Sequence, residues 1–352
     1  MSEYSNFIGL DLSDRTARFC VLDGAGDEVA TGSVVLNGDA FERAFGGYDN
    51  AVVALEAGTG SAWVSRTLAA QGHGVVVANA RKLGMIYMNE RKSDVRDAEI
   101  LARFVRMDPK LLHPVTHRGE RAQADLSCVR SRDLLVRTRS SMISNVRSMV
   151  KSFGHRLPPC STPYFASRVK AHIPVVLEAA LLPMLEIIAG LTQQIKDFER
   201  LLEKKCREAY PETELLLQVP GVGPITALTF VLSLEHAERF EDSRDVGAFL
   251  GLVPRRDQSG NMERQLRITK AGDGYLRKLL VGCAQHILGH FGQDSALRQW
   301  GLKLAERGGG NGKKRAVVAV ARKLAVLLHH LWANGIVYEA FPQQEVLEAQ
   351  NV

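Results

Sequence analysis

The chain has 352 residues, 45% of them hydrophobic and 24% charged, which is enough for two or three domains with real cores. No uncharged apolar run approaches the ~20 residues needed to span a bilayer, and the opening Met1-Ser2-Glu3-Tyr4-Ser5 is unlike a signal peptide. The five cysteines are scattered and never in CxxC spacing, which argues against a zinc site or disulfide framework and for a reducing, cytoplasmic setting.

The net charge is only +6, but it is unevenly spread. Leu252 to Lys323 holds fifteen Lys and Arg against five Asp and Glu, and His117 to Leu157 holds nine against three. Basic blocks in an otherwise balanced chain point to a polyanion, most often nucleic acid. A solvated basic face is the bland alternative.

Asn6–Leu12 is expected as a buried strand with Asp11 at its end, followed by strands Arg15–Leu22 and Glu28–Leu36 around the turn Asp23-Gly24-Ala25-Gly26-Asp27. A helix near Asp39–Phe45 leads to the apolar strand Ala51–Leu55, closed by Glu56. Gly58-Thr59-Gly60 opens a helix to Ala70, and Gly74–Asn79 is a further Val-rich strand. Three hairpin-like strands followed by strand–helix alternation fit a mixed α/β sheet of the ribonuclease H type. A sugar-kinase or Hsp70-type fold begins similarly, but no second copy of the unit follows.

Asp94 and Asp97, in Arg91-Lys92-Ser93-Asp94-Val95-Arg96-Asp97, are three apart and share one face of the helix expected there. Held that close, the carboxylates repel unless bases or a divalent cation offset them. An acidic helix start is the ordinary explanation. Asp11 and Glu56, however, each close an apolar strand, where an uncompensated charge is costly. In a ribonuclease H-type sheet these strand ends are neighbours, so Asp11, Glu56, Asp94 and Asp97 can converge. An all-oxygen donor set suits Mg²⁺ or Mn²⁺, and a two-metal site could stabilise both oxygens of a phosphoryl transfer.

Gly119–Phe153 is expected as a long Arg-rich helix, and Val175–Ala209 as a second helix with a coiled-coil-like seam, its first turns questioned by Pro183. Two helices packed within one chain would satisfy the same pattern. Leu215–Ala227 contains Pro220-Gly221-Val222-Gly223 between helical stretches, the helix-hairpin-helix signal. Gly221 and Gly223 there expose backbone N–H groups to a DNA phosphate, although plain helix packing uses the same turn. Further on, a Ser-Gly loop at Ser259 is flanked by Arg255, Arg256, Arg264, Arg267 and Lys270. Serine beside glycine is usually a turn residue. As a nucleophile it would need a proton acceptor and charge neutralisation at the phosphate, and arginine forks suit the second task.

Taken together, Gly9-Leu10-Asp11, Leu55-Glu56-Ala57, Lys92 to Ala102, Val219 to Ala227, Gly251 to Gly260 and Arg267 to Leu280 resemble the DEDD-type insertion-sequence transposases related to the Piv DNA invertase. The resemblance covers most of the chain. It implies a RuvC-like (ribonuclease H-like) catalytic domain at 1–115, a basic helical, coiled-coil oligomerisation segment at 116–210, and a mainly α transposase domain with a helix-hairpin-helix at 211–340, with a tail at 341–352. It maps the family's four metal-binding acids onto Asp11, Glu56, Asp94 and Asp97, and its catalytic serine onto Ser259. It further implies a dimer or tetramer acting on double-stranded DNA with a structured noncoding bridge RNA as guide. Locally the chain departs from relatives that follow the second acid with Ala-Thr-Gly, having Ala57-Gly58-Thr59-Gly60 instead.

The leading expectation is therefore a DNA transposase or recombinase using a serine–phosphate intermediate with Mg²⁺ or Mn²⁺. A Holliday-junction resolvase-like nuclease using metal alone is the nearest alternative, and a non-catalytic DNA- or RNA-binding scaffold belongs to a different class.

Overall fold

The computed structural model describes residues 4–83, 94–259, 262–307 and 309–342, without the side chains of 94, 256–259 and 262–265. The chain divides into two compact units, Met1–Arg118 and Gly119–Val352.

In the first unit, strands β1 (Asn6–Leu12), β2 (Thr16–Leu22), β3 (Glu28–Val35), β4 (Ala51–Glu56) and β5 (Gly74–Ala78) form one sheet in the order β3-β2-β1-β4-β5. The β1–β2 and β2–β3 pairs are antiparallel, whereas β1–β4 and β4–β5 are parallel. Strands β1 and β4 are almost wholly apolar because the sheet is covered on both faces. On one face, Ile8, Leu10, Val53 and Leu55 pack with Phe41 and Phe45 of α1 (Gly38–Phe45) and with Val64 and Leu68 of α2 (Ser61–Ala70). On the other, Phe7, Val52 and Ala54 pack with Ala98, Leu101, Ala102 and Val105 of α3 (Asp94–Met107). The spacing of those four helix residues is the 3–4 rhythm of a single buried stripe. This is the mixed α/β domain expected from the sequence.

The second unit is mainly helical. Helices α4 (Glu120–Ser152) and α6 (Glu178–Ala209) are the two long ones, with the short α5 (Phe165–Val169) between them. They pack antiparallel: Asp125 pairs with Lys205, Arg132 with Glu199, and Arg139 with Thr192. The α4 partners recur every seven residues, so they lie along one seam. Leu181, Leu185 and Ile188 of α6 are buried in a cluster with Val146 and Val150 of α4. Within this chain the apolar seam thus packs on its own neighbouring helix. The helix runs through Pro183, its sixth residue, which is exposed and withholds the one N–H that would reach the Ala179 carbonyl.

Next come α7 (Thr213–Leu217), α8 (Pro224–Leu234), α9 (Asp245–Phe249), α10 (Gly274–Leu288), α11 (Ala296–Arg307) and α12 (Gly312–Asn334). Their core gathers Phe230, Leu234, Leu276, Leu280, Val320, Leu324 and Leu328. By length and composition, the helices over Val175–Ala209 and Gly309–Asn334 would suffice to cross a membrane, but their buried residues include apolar side chains of these protein cores.

One local expectation is corrected. Residues around the Ser-Gly pair are not a simple loop: β6 (Pro254–Ser259) and β7 (Met262–Ile268) form an antiparallel hairpin, with Ser259 opposite Met262. Ser259 is the last residue of a strand. The ladder satisfies the backbone of a polar segment that has little apolar side chain to bury.

Candidate active site

The register of two strands sets the site. Leu10 pairs with Leu55 in the parallel β1–β4 ladder, so Asp11 and Glu56 are the next residues at the same end of neighbouring strands. They continue the alternation of Phe7 and Gly9 on β1 and of Val52 and Ala54 on β4, which is the sheet face covered by α3. Both are half-buried at the margin of that apolar core.

Gly9 explains how the helix comes so close. A Cβ there would collide with the Ala98 carbonyl oxygen and stand 2.6 Å from the Ala102 backbone nitrogen, so the α3 backbone rests directly on β1. At the other end of α3, Arg106 donates to the Gly24 carbonyl in the β2–β3 turn at 3.1 Å. That turn lies where β1 begins, since Phe7 pairs with Leu22. The N-terminus of α3 therefore points to the end of the sheet where Asp11 and Glu56 stand. Asp97 immediately precedes Ala98, and Asp94 begins the helix one turn earlier. Asp94 is placed here by its backbone only; its side chain lies outside the described residues.

The fold thus brings Asp11, Glu56 and the first turn of α3 to one edge of the sheet. Among the described residues, no three His, Cys, Asp or Glu side chains form a group able to hold a metal ion. The described side chains of Asp11, Glu56 and Asp97 do not make such a group by themselves, and the Asp94 side chain lies outside the described residues. Carboxylate oxygens such as those at this edge suit a hard divalent cation rather than one that seeks thiolate or imidazole.

A clasp that no local sequence pattern signals fixes the segment after Glu56. Ser61, wholly buried at the start of α2, accepts from the Gly58 N–H at 3.0 Å and donates to the Gly58 carbonyl at 2.8 Å. His117 Nε2 stands 2.8 Å from the same hydroxyl. Burial, with Arg66 and Arg118 nearby, holds the His117 imidazole below its usual pKa and so keeps it neutral. Ser61 and His117 are 56 residues apart, so no local pattern could have joined them. Gly9 did carry a signal, because a glycine inside a buried strand often marks a close backbone approach.

The remaining candidates belong to the second unit. Arg255, Arg267 and Lys270 are exposed on or beside the hairpin. Arg256 and Arg264 lie within its strands, and their side chains, like that of Ser259, are outside the described residues. Gly221 adopts φ +91°, and a Cβ there would stand 3.0 Å from the His286 ring, so this glycine is demanded by both backbone and packing. Gly223 is exposed, caps α8 in an extended conformation, and accepts the Ala227 N–H with its carbonyl.

Comparison with known proteins follows the same two parts of the chain. Residues 8–154 match a profile of DEDD transposases of the IS110 group, described as a transposase. Residues 213–299 match the transposase IS116/IS110/IS902 family. The transposase for insertion sequence element IS1328 of Yersinia enterocolitica is 30% identical over 292 residues, covering 82% of this chain and 85% of that protein. The transposase for insertion sequence element IS1111A of Coxiella burnetii is 31% identical over 260 residues, covering 70% and 67%. A pilin gene-inverting protein of Moraxella bovis is 27% identical over 114 residues, covering 32% and 34%. With its DEDD-type first part and its matching second part, the chain belongs to the IS116/IS110/IS902 family of transposases.

Proposed function

We propose that this transposase cuts and rejoins the DNA of its insertion sequence through a serine–phosphate intermediate, with Asp11, Glu56, Asp94 and Asp97 holding Mg²⁺ or Mn²⁺. The observation that supports it most is the adjacency of Asp11 and Glu56 beside the acidic first turn of α3. In this reading the Ser259 hydroxyl attacks phosphorus, the Oγ–P bond forms, the P–O3′ bond breaks, and the proton passes to the departing 3′ oxygen. Rejoining is the reverse attack by a 3′ hydroxyl, so no outside energy source is required. A cation held by these four acids would supply charge stabilisation at the phosphate and the leaving oxygen.

Arg255, Arg256, Arg264, Arg267 and Lys270 neutralise and orient the DNA backbone around the serine. Gly221 and Gly223 form a helix-hairpin-helix contact to a phosphate, independent of base sequence. A structured noncoding bridge RNA selects the target by base pairing while the protein reads shape and backbone. The acting species is a cytoplasmic homo-oligomer, a dimer or tetramer, on double-stranded DNA.

The test is cleavage of labelled DNA carrying the element's junction, with Mg²⁺ and the element's flanking RNA, resolved on denaturing gels with and without protease. The expected product is a protease-sensitive protein–DNA adduct, absent in Ser259→Ala and in Asp94→Asn. Free nicked ends that persist in Ser259→Ala would instead establish a metal-dependent nuclease.

A further inference from the structure

Within the second unit, the base of the β6–β7 hairpin, α11 and α12 enclose a groove of about 1420 Å³, of which the reading above uses only Arg267 and Lys270 at the hairpin end. Its size exceeds the ~300–1,000 Å³ of ordinary small-molecule pockets, so it suits an extended ligand. Arg267, Lys314, Arg315, Arg322 and Lys323 line it. None of these five forms an ion pair with a carboxylate among the described residues. The acid in the lining, Asp242, has Oδ1 engaged by the Arg244 backbone N–H at 2.8 Å.

One stretch of the lining is apolar, with Leu252, Leu266, Leu304, Val318 and Leu327 beside Trp300, and Ser243, Arg244, Lys270, Asn311 and His330 add polar groups elsewhere. Trp300 is 37% exposed, and the Lys323 ammonium sits 4.9 Å above its ring. Lys323 is half-buried, and that burial lowers its pKa, so an arriving anion would favour its charged form. A duplex presents a sugar–phosphate surface and keeps its bases stacked inside, leaving such an apolar lining unused. An unpaired strand offers both phosphates for the cations and base faces for the apolar wall and the indole.

From the joint presence of the unpaired cations and the Trp300 wall we infer that this groove binds an unpaired DNA strand next to the phosphodiester to be cut. DNA is chosen over RNA because the strand held beside the phosphodiester to be cut is itself DNA in the serine reading. Pro254 and Ile268, a cross-strand pair, belong to the groove, and Ser259 lies five residues along β6, roughly 17 Å away at strand rise. The inference rests on the serine reading for the strand's purpose, but not for its binding.

The experiment is equilibrium binding of the full chain to one short labelled sequence supplied as single-stranded DNA, duplex DNA or RNA, followed by anisotropy and tryptophan emission. Lys314→Glu with Arg315→Glu alters two exposed side chains and leaves the core untouched. This double variant should weaken single-stranded DNA about tenfold or more and lower the log–log salt slope by about 1.4, with duplex affinity changed less than about twofold. Single-stranded DNA should quench the tryptophan emission, and Trp300→Phe should remove that quenching. Unchanged single-strand affinity, equal loss for strand and duplex, or a greater loss for RNA would each overturn the inference. Ser259→Ala should bind the strand like the parent chain; loss of the covalent adduct with this binding intact would leave the groove standing, whereas absence of an adduct in the parent would sink only the serine reading.

Discussion

Asp11 and Glu56 occupy equivalent places one step past the Leu10–Leu55 pair of two parallel strands, so a single register delivers two carboxylates to one edge of the sheet. A one-residue slip of either strand would turn its acid to the opposite face, where α1 and α2 pack. The apolar ladder behind the acids therefore maintains their pairing. Asp11→Asn and Glu56→Gln keep shape and remove charge. Each should reduce junction cleavage by about 10²-fold or more, with an unchanged thermal midpoint, because lost charge stabilisation acts on the reaction and not on the core. A variant that retains cleavage within a fewfold would show that its acid is not part of the site.

Gly9→Ala tests the approach of α3. The added methyl meets backbone on the helix, which cannot swing aside like a side chain. We expect a loss of about 3 kcal/mol in the first unit's stability, at the upper end for overpacking, measured by denaturant unfolding. A shift below about 0.5 kcal/mol would mean that the helix is not seated on β1 as described.

The Ser61–His117 clasp predicts an acid sensitivity. The His117 pKa is depressed in the fold, so its stabilisation is fully present above the unfolded value near 6.5. It is lost as pH falls from there through the folded value, since the unfolded chain takes up the proton first. Unfolding midpoints at successive pH values should decline through this window in the parent chain and decline less in His117→Gln. Parallel curves for the two proteins would remove the clasp as the cause.

Asp125 holds the α4–α6 pair near one end, accepting from Lys205 at 2.6 Å and from the Tyr210 hydroxyl at 2.6 Å. Burial alone would raise its pKa, but these hydrogen bonds and the Lys205 charge outweigh it and hold the carboxyl below the usual range. Its contribution is present above the unfolded value near 3.8 and is lost as pH falls through the folded one. Asp125→Ala should cost about 2 kcal/mol, less than a fully buried pair because Lys205 is partly solvated. The check is urea unfolding at neutral pH, and the difference from the parent should shrink on acidification through that range.

The strand ends, the acid at each, and the seam of α6 could all be read in advance because they depend on periods of two and of three to four residues, which the local sequence carries. Asn6–Leu12 is observed with the expected bounds, and Ala51–Leu55 extends by one residue to Glu56. The strand before Ser259 is not legible in the sequence, because Arg255-Arg256-Asp257-Gln258 has no apolar alternation to announce it. Its regularity comes from backbone pairing with β7, a partner that the strand's own composition does not specify.

By itself, the sequence determined the α/β character of the first part, the helical character of the second, and which carboxylates close apolar strands. Hydrophobic burial makes these outcomes local, because each strand or helix needs one apolar face whatever it packs against. Only the tertiary structure decided that the α6 seam packs on α4, that Gly9 admits α3, that Ser61 meets His117, and that scattered cations share a groove with Trp300. Each of these joins residues far apart in the chain, and their meeting is set by packing geometry, which no short stretch of sequence contains.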